Sequence, residues 1–197
     1  MPDATALTAR GEATRRRILE AATEEFAEFG IAGARVDRIT AAAQTNKAQL
    51  YAYFGSKDGL FDAVFSGSFE QIMDGVPIDA TDLADWAVRL YDDYLVHPEV
   101  VRLATWARLE RKPAGYLVPD DDRVDGSKLA AIAAAQRAGA IGSSADPFDV
   151  FAMVISMSLA WGPVSNVYAA TADEDPALHR RRRELLRESV RRALGPG

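Results

Sequence analysis

The spacing of apolar residues is the feature that most constrains the fold of this chain. Apolar side chains recur at intervals that place them on one face of an α-helix. The first such stripe contains Ile18, Ala22, Phe26 and Phe29. Alternating apolar and polar residues, which would indicate a β-strand, are nearly absent. The pattern predicts an all-α protein with about nine helices.

Composition excludes several classes of protein. The chain has 197 residues, no Cys and two His, so disulfides, Cys nucleophiles and zinc fingers are excluded. Residues 1–10 lack the apolar segment of a signal peptide. The most apolar run, residues 150–164, is shorter than the roughly 18 residues that a membrane-spanning helix needs. We therefore expect a cytoplasmic protein with no cofactor, no metal and no membrane partner.

Glycine and proline residues mark the expected ends of helices. Gly30 follows the first apolar stripe and predicts the end of a helix that covers residues 12–29. Residues 75–80, which include Pro77, predict a boundary region, and Thr81 is the predicted N-cap of a helix that ends near Val96. We assign residues 1–66 to an N-terminal domain and residues 67–197 to a C-terminal domain.

Two short helical segments joined by a three-residue turn have the spacing of a helix-turn-helix. The segments cover residues 36–43 and 47–54, and Asn46 is the predicted N-cap of the second. On that helix Leu50 and Phe54 share one face, which we expect to be buried. Ala48, Gln49 and Ala52 lie on the opposite face.

The exposed face of the second helix has the composition expected of a surface that reads DNA. The small alanines allow close approach to a major groove, and the amide of Gln49 can bind an adenine edge. Tyr51 and Tyr53 lie on either side of that face, where their hydroxyls would meet phosphates. Lys47, at the helix start, is placed for a phosphate rather than a base. The formal net charge of −6 means that DNA binding must depend on a local basic patch.

Three segments resemble the DNA-binding domain of TetR-family transcriptional regulators. They are TRRRILEAATEEFAEFG at residues 14–30, VDRITAAA at residues 36–43 and LYAYFGSKDGLF at residues 50–61. The third is the most specific, because Leu-Tyr-x-Tyr-Phe-x-Ser-Lys-acid-x-Leu is hard to match by chance. The resemblance implies a three-helix DNA-binding domain that contains the helix-turn-helix, followed by a C-terminal helical bundle that binds a ligand.

The resemblance also implies roles for individual residues. Arg35 and Lys57 match positions that contact phosphates, as do the two tyrosines, and Thr14 matches a hydroxyl near the start of the first helix. The predicted DNA-binding residues are Thr14, Arg35, Asn46, Lys47, Ala48, Gln49, Tyr51, Tyr53 and Lys57. The family's usual Gly-Val-Ser turn is replaced here by Gln44-Thr45-Asn46, and its Gly-Thr pair by Ala48-Gln49. A relative's operator sequence therefore does not transfer to this chain.

The C-terminal region has more apolar helix surface than one helix can bury against a single neighbour. Asp146-Pro147 predicts the start of a helix that runs to about residue 171, kinked at Gly162-Pro163. Asp175-Pro176 predicts the start of the last helix. In the family the last two long helices pair with their copies, which implies a homodimer that reads two half-sites of a palindromic operator. The run of residues 180–183, with the preceding His179, is predicted to face solvent.

Aromatic and sulfur-containing side chains of the C-terminal region predict a ligand pocket. The candidate lining residues are Trp86, Leu90, Tyr94, Trp106, Met153, Met157 and Trp161. Each could equally belong to the core, because pockets and cores have the same composition. Since cationic residues are scarce among the inward positions, the expected effector is small, apolar and uncharged, or a cation that stacks on Trp.

The sequence therefore predicts a dimeric transcriptional repressor that binds double-stranded DNA and is released by a small hydrophobic effector. One alternative is an all-α enzyme or structural bundle without DNA binding. The absence of Cys, the positions of the two His and the lack of paired carboxylates argue against an enzyme. A second alternative keeps the DNA-binding dimer but has no effector.

Overall fold

The computed structural model of the protein describes residues 9–117 and 125–196. These residues form nine α-helices and contain no strand, which confirms the predicted all-α fold. The helices are α1 (Ala9–Gly33), α2 (Val36–Ala42), α3 (Lys47–Phe54), α4 (Lys57–Gly75), α5 (Leu83–Val96), α6 (Pro98–Glu110), α7 (Asp125–Arg137), α8 (Pro147–Ser158) and α9 (Pro176–Leu194). None of the described helices is both long and apolar enough to cross a membrane.

The chain divides into two compact units. The N-terminal unit contains the residues up to Glu70 together with Arg102–Gly115. The C-terminal unit contains Gln71–Val101 and Tyr116–Gly197. Helix α6 therefore contributes its last two-thirds to the N-terminal unit, a membership that the division at residues 66 and 67 does not include. Local sequence patterns do not reveal it, because it depends on contacts with residues far away in the chain.

Apolar side chains of α1 and α4 form the centre of the N-terminal unit. Ile18 and Phe26 are fully buried, and the ring of Phe26 meets the edge of Phe61 at a centroid distance of 5.2 Å. Gly30 has a φ of 72°, so it ends the regular helix as predicted. Phe29, which we expected to be buried, is 45% exposed. It lies in the last turn before Gly30, and the Arg38 guanidinium covers its ring at 4.1 Å.

The C-terminal unit is built around α5, which packs against α8 and α9. Trp86 and Tyr91 of α5 are almost completely buried, together with Val154 of α8 and Leu186 of α9. The indole Nε1 of Trp86 donates a hydrogen bond to the carbonyl of Val76 at 3.2 Å, so its polar atom is satisfied within the core.

Two predicted helix boundaries in this unit are wrong. Helix α8 ends at Ser158 instead of residue 171. Pro163 explains the end, because a proline ring clashes with the carbonyl four residues earlier, here that of Leu159, and proline has no N–H to donate to it. Helix α5 is capped by Asp82 rather than Thr81, since the Asp82 carboxylate accepts a hydrogen bond from the Asp85 N–H at 3.0 Å.

Candidate DNA-binding surface

The turn between α2 and α3 is fixed by backbone and side-chain hydrogen bonds. The Thr45 N–H donates to the carbonyl of Thr40 at 3.0 Å. Asn46 caps α3, and its Oδ1 accepts from the Gln49 N–H at 2.9 Å. Gln44 has a φ of 50°, the left-handed conformation that the family's usual glycine adopts readily. The predicted bounds of α3 are confirmed. Hydrogen bonds from the turn to α2 and to α3 fix the orientation of α3 relative to α2.

One face of α3 is buried and the opposite face is open, as the helical periodicity predicts. Leu50 is fully buried, whereas Ala48, Gln49 and Ala52 are exposed. These three side chains form the exposed α3 face. The arrangement leaves a narrow helix surface, without bulky side chains at its centre, that can approach a major groove.

Aromatic residues border the exposed α3 face. Tyr51 is 43% exposed, and Tyr53 is half-buried. Phe54 is half-buried rather than fully buried. Its ring lies 6.1 Å from that of Tyr53, and the Arg15 guanidinium lies 5.5 Å from its centroid. The burial expected for Phe54 is therefore only partial.

A buried carboxylate holds α2 against α1. Glu25 of α1 is 8% exposed and accepts hydrogen bonds from the Arg35 N–H at 2.7 Å and from Arg38 Nε at 2.8 Å. Burial alone would raise the pKa of the Glu25 carboxyl, but the hydrogen bonds from Arg38 and from the Arg35 backbone lower it overall. Glu25 is not among the residues predicted from the sequence. Its signal is a glutamate located beside Phe26 on the apolar stripe of α1.

Arg17 connects α1 to the end of α2. Its Nε donates to the carbonyl of Ala43 at 3.1 Å, and a terminal nitrogen lies 3.3 Å from Thr14 Oγ1. Thr14 is buried, and its hydroxyl donates to the carbonyl of Arg10 at 3.0 Å. The hydroxyl predicted to contact DNA is thus part of a hydrogen-bonded group within the domain.

The predicted phosphate-binding cations differ in their environment. Arg35 has an exposed side chain. Lys47 pairs with Asp37 at 2.7 Å, and this hydrogen bond raises the pKa of Lys47. Lys57 donates to the carbonyls of Ala32 and Ala34 at 3.3 and 3.2 Å, near the end of α1. Because solvent-exposed ion pairs contribute little, a phosphate can replace Asp37 as the partner of Lys47.

Side chains of α6 and of Arg111, the residue that follows it, contact α1 and α4 within the N-terminal unit. Trp106 Nε1 donates to the carbonyl of Ala27 at 3.2 Å, and Glu110 accepts from the Ala32 N–H at 2.8 Å. Arg111 pairs with Asp58 at 2.6 Å and also with Asp62. Trp106, a predicted pocket residue, therefore lies in a different unit from the other pocket candidates.

The remaining pocket candidates all lie in the C-terminal unit but do not share one environment. Those on α5, Trp86, Leu90 and Tyr94, are buried in the core. Met157 and Trp161 are half-buried and pack against this core, while Met153 is 50% exposed. Burial raises the pKa of Tyr94 to about 12, even though a hydrogen bond with Ser158 acts in the opposite direction.

A groove of about 410 Å³ lies elsewhere in the C-terminal unit, and none of the predicted pocket residues lines it. Leu83 and Ala84 of α5, Ile141, and Val190 and Leu194 of α9 form its apolar wall. In the two described stretches of the chain, no three His, Asp or Glu side chains cluster closely enough to hold a metal ion.

The arginine run and His179 of α9 are not uniformly exposed, contrary to prediction. His179 is 5% exposed, and its Nδ1 lies 2.7 Å from the Tyr91 hydroxyl. Arg182 is 6% exposed and pairs with Glu174 at 2.6 Å. Its guanidinium also lies against the ring of Trp161, 5.9 Å from the centroid. Within the run, only the first two residues, Arg180 and Arg181, are exposed as expected.

Two known protein families match most of the chain, and one of them includes the helix-turn-helix. Residues 18–64 match the family described as bacterial regulatory proteins, tetR family. Residues 82–192 match the family described as tetracyclin repressor-like, C-terminal domain. The second match alone covers more than half of the chain.

Individual relatives lead to the same family. The HTH-type transcriptional repressor SCO4008 of Streptomyces coelicolor is 39% identical over 75% of this chain and 77% of its own length. The HTH-type transcriptional repressor NicS of Pseudomonas putida is 32% identical over 52% of this chain and 51% of its own length. The crystal structure of SCO4942 from Streptomyces coelicolor has a TM-score of 0.80 and 37% identity, and the match covers 93% of this chain and 99% of that one.

These relatives are named as regulators, which supports the regulator hypothesis over the all-α enzyme. The two matched families together cover both the helix-turn-helix and the C-terminal helices. The chain therefore belongs to the TetR family of DNA-binding transcriptional regulators.

Proposed function

We propose that this protein is a homodimeric repressor that binds a palindromic operator and is released by a small hydrophobic effector. In this proposal residues 1–66 form the DNA-binding domain, and residues 67–197 form the ligand-binding and dimerisation domain. The proposed location is the cytoplasm, because a regulator that reads chromosomal DNA must have access to it.

The observation that carries the proposal is the exposed α3 face. Ala48, Gln49 and Ala52 are open to solvent on the side opposite buried Leu50, on a helix whose start is fixed by Asn46. We assign base contacts to Ala48 and Gln49. Phosphate contacts are assigned to the polar residues that surround this face, namely Arg35, Lys47, Tyr51, Tyr53 and Lys57, with Thr14 and Asn46 supporting them.

Exposed apolar side chains near α8 and α9 support the proposed dimer. Met153 is 50%, Leu185 56%, Val164 41% and Val167 94% exposed. A contiguous exposed apolar patch is a common sign of a protein interface, and in this proposal these side chains contribute to such a patch. A two-fold dimer would place two α3 helices on half-sites about 34–36 Å apart, which lets one short helix achieve operator specificity.

Repression released by an effector requires a large difference in affinity between two conformations. A change from 99% binding-competent to 99% incompetent protein needs an effector that prefers the incompetent state by about 10⁴-fold. The half-buried Met157 and Trp161, which pack against the α5 core, are the most accessible of the proposed lining residues in that core. A DNA-binding dimer without an effector remains the second candidate, because Trp86, Leu90 and Tyr94 are closely packed in the core.

Gel-shift binding to the DNA upstream of the protein's own coding sequence tests the DNA-binding part of the proposal. The protein is compared with a Gln49→Ala, Tyr51→Phe double variant at 50 and 200 mM salt. We expect tight binding by the protein, loss of binding by the variant, and about 10³–10⁵-fold weaker binding at the higher salt if 6–10 phosphates are contacted. Folded protein that binds neither this DNA nor a random-sequence pool contradicts the proposal.

Tryptophan fluorescence during titration with small hydrophobic compounds tests the effector. A compound that changes the emission and also releases the DNA supports the ligand-responsive repressor. If DNA binding is established and no compound in a broad panel does either, the effector-free dimer is the better description.

A further inference from the structure

A hydrogen bond joins the helix-turn-helix turn to the exposed α3 face. The hydroxyl Oγ1 of Thr45 lies 2.5 Å from Oε1 of Gln49. An amide oxygen can only accept a hydrogen bond, so the Thr45 hydroxyl is the donor. Thr45 is half-buried, whereas Gln49 is exposed. A residue of the turn is therefore bonded to a residue of the exposed α3 face.

Both partners are attached to a well-fixed backbone. The Thr45 N–H donates to the Thr40 carbonyl, and the Gln49 N–H donates to Asn46 Oδ1. Thr45 is also β-branched, which restricts the rotation of its side chain about χ1. Its hydroxyl is consequently presented from a defined position, and the bond favours one orientation of the otherwise flexible Gln49 amide.

The orientation of this amide determines which bases it matches. Adenine offers a donor at N6 and an acceptor at N7, so it pairs with a glutamine that turns both its oxygen and its nitrogen towards the base edge. Guanine offers two acceptors, O6 and N7. When Gln49 Oε1 is turned towards Thr45, the amide nitrogen points away from Thr45 and presents its two N–H donors, which match guanine.

We propose that Thr45 is a specificity-determining residue, which directs Gln49 to prefer guanine over adenine at one base pair of each operator half-site. The inference rests on the proposed base-reading role of the exposed α3 face. It also replaces the adenine contact that the residue type of Gln49 alone suggests. Thr45 acts on the base only through Gln49, so it is a positioning residue for recognition.

Selection from a pool of randomised duplex DNA tests the proposal, because the selection itself yields the sequence that the protein binds. The full chain is compared with Gln49→Ala, Thr45→Val and Thr45→Ser. Valine has the shape of threonine without the hydroxyl, and serine keeps the hydroxyl, so the last two variants form a matched pair. Circular dichroism establishes that each variant is folded, and fluorescence anisotropy gives the affinity for the selected site and its single-base changes.

We expect Gln49→Ala to lose the preference at one base pair of each half-site, which identifies the pair that Gln49 reads. At that pair the unaltered protein should bind the guanine form about tenfold more tightly than the adenine form. Thr45→Ser should keep this ratio, and Thr45→Val should reduce it to about twofold or less, because the Gln49 amide can then turn both its oxygen and its nitrogen towards adenine.

Four results would overturn the proposal, and they identify three different faults. A preference for an A·T pair at that position, or an unchanged preference for the G·C pair in Thr45→Val, refutes the role of Thr45 while DNA reading by α3 stands. Selected DNA that Gln49→Ala binds with unaltered base preference shows that Gln49 reads no base, although the protein is still a DNA-binding regulator. No enrichment at all, with folded protein, refutes the proposed function itself.

Discussion

Each unit of the protein contains a glutamate–arginine pair, and the two pairs differ in how far water reaches them. In the N-terminal unit the side chain of Glu25 is 8% exposed, but that of its partner Arg38 is 41% exposed. In the C-terminal unit the side chain of Arg182 is 7% exposed and that of Glu174 is 13% exposed. The first pair positions α2 beside the candidate DNA-binding surface, where charged groups remain open to solvent. The second pair joins α9 to the segment that follows α8, because Arg182 lies on α9 and Glu174 lies in that segment.

This contrast in exposure predicts how each pair responds to loss of a partner. Water can solvate Arg38 when Glu25 is removed, whereas a buried charge left without its partner is strongly destabilising. We therefore expect the C-terminal pair to act mainly on stability. The N-terminal pair should act mainly on pH dependence and on the geometry of DNA binding.

Removal of Arg182 from the buried pair should destabilise the protein more than any other substitution. Arg182→Ala should lower the free energy of unfolding by about 3 kcal/mol, because Glu174 loses its charged partner and the rings of Trp161 and Tyr168 lose the guanidinium that packs on them. Urea denaturation followed by circular dichroism measures the change.

The adjacent arginine provides a matched control for this experiment. Arg183 pairs with Asp92, but the two side chains are 35% and 41% exposed. Arg183→Ala should therefore change the free energy of unfolding by no more than about 1 kcal/mol. Equal effects of the two substitutions would show that burial is not what distinguishes the pairs.

The N-terminal pair should appear most clearly in the pH dependence of stability. The folded-state pKa of Glu25 is lowered below its ordinary value of 4.5, so its stabilising contribution is complete above that value and is lost as pH falls through the folded-state pKa. Glu25→Gln should therefore flatten the fall in stability below about pH 5.

Urea midpoints measured between pH 3 and 7 test this prediction, with the exposed neighbour Glu24→Gln as the control. The control should follow the unaltered protein across the whole range. A Glu25→Gln profile that is parallel to the unaltered protein would mean that the carboxylate network does not contribute to acid sensitivity.

A smaller effect is expected at the turn that precedes α3. Gln44 has a φ of 50°, which is unfavourable for a residue with a Cβ, so Gln44→Gly should raise the free energy of unfolding by about 0.5–1 kcal/mol. Ala42→Gly, in the last residue of α2, should lower it by a similar amount. Thermal unfolding of the two variants checks the opposite signs, and a loss of stability in both would argue against strain at Gln44.

The smallest effect concerns binding of DNA rather than folding. Asp37→Asn should strengthen DNA binding several-fold, because it frees Lys47 for a phosphate and removes a negative charge from the surface. Fluorescence anisotropy at two salt concentrations measures the change, which should be larger at low salt. Unaltered affinity would indicate that Lys47 is not near a phosphate.

The parts of the structure that the sequence predicts correctly depend on signals within a few residues. The bounds of α3 follow from the Asn46 cap and from Gly55, and the burial of Leu50 follows from helical periodicity. The end of the first regular helix follows from Gly30 in the same way.

The parts that it misses depend on partners far away in the chain. Burial of His179 needs Tyr91, which is 88 residues distant, and the place of Trp106 is set by a carbonyl of α1 that is 79 residues away. No periodic pattern within α6 or α9 contains those partners. Six of the nine candidate DNA-binding residues lie within residues 46–53, whereas the pocket candidates are spread over residues 86–161. The arrangement of those six is therefore more accessible to sequence reasoning.

The discontinuous make-up of the N-terminal unit has a consequence for building chimeric regulators. If only the residues up to about 66 were transplanted into another regulator, Trp106 would lose its contact with Ala27, and Arg111 its contacts with Asp58 and Asp62. Any Cβ at position 30 would approach the Trp106 ring to 2.9 Å. A transplanted domain with a side chain at that position would therefore collide with the indole that the recipient retains. The N-terminal unit should therefore be exchanged as two segments, with Arg102–Gly115 moved together with the first segment.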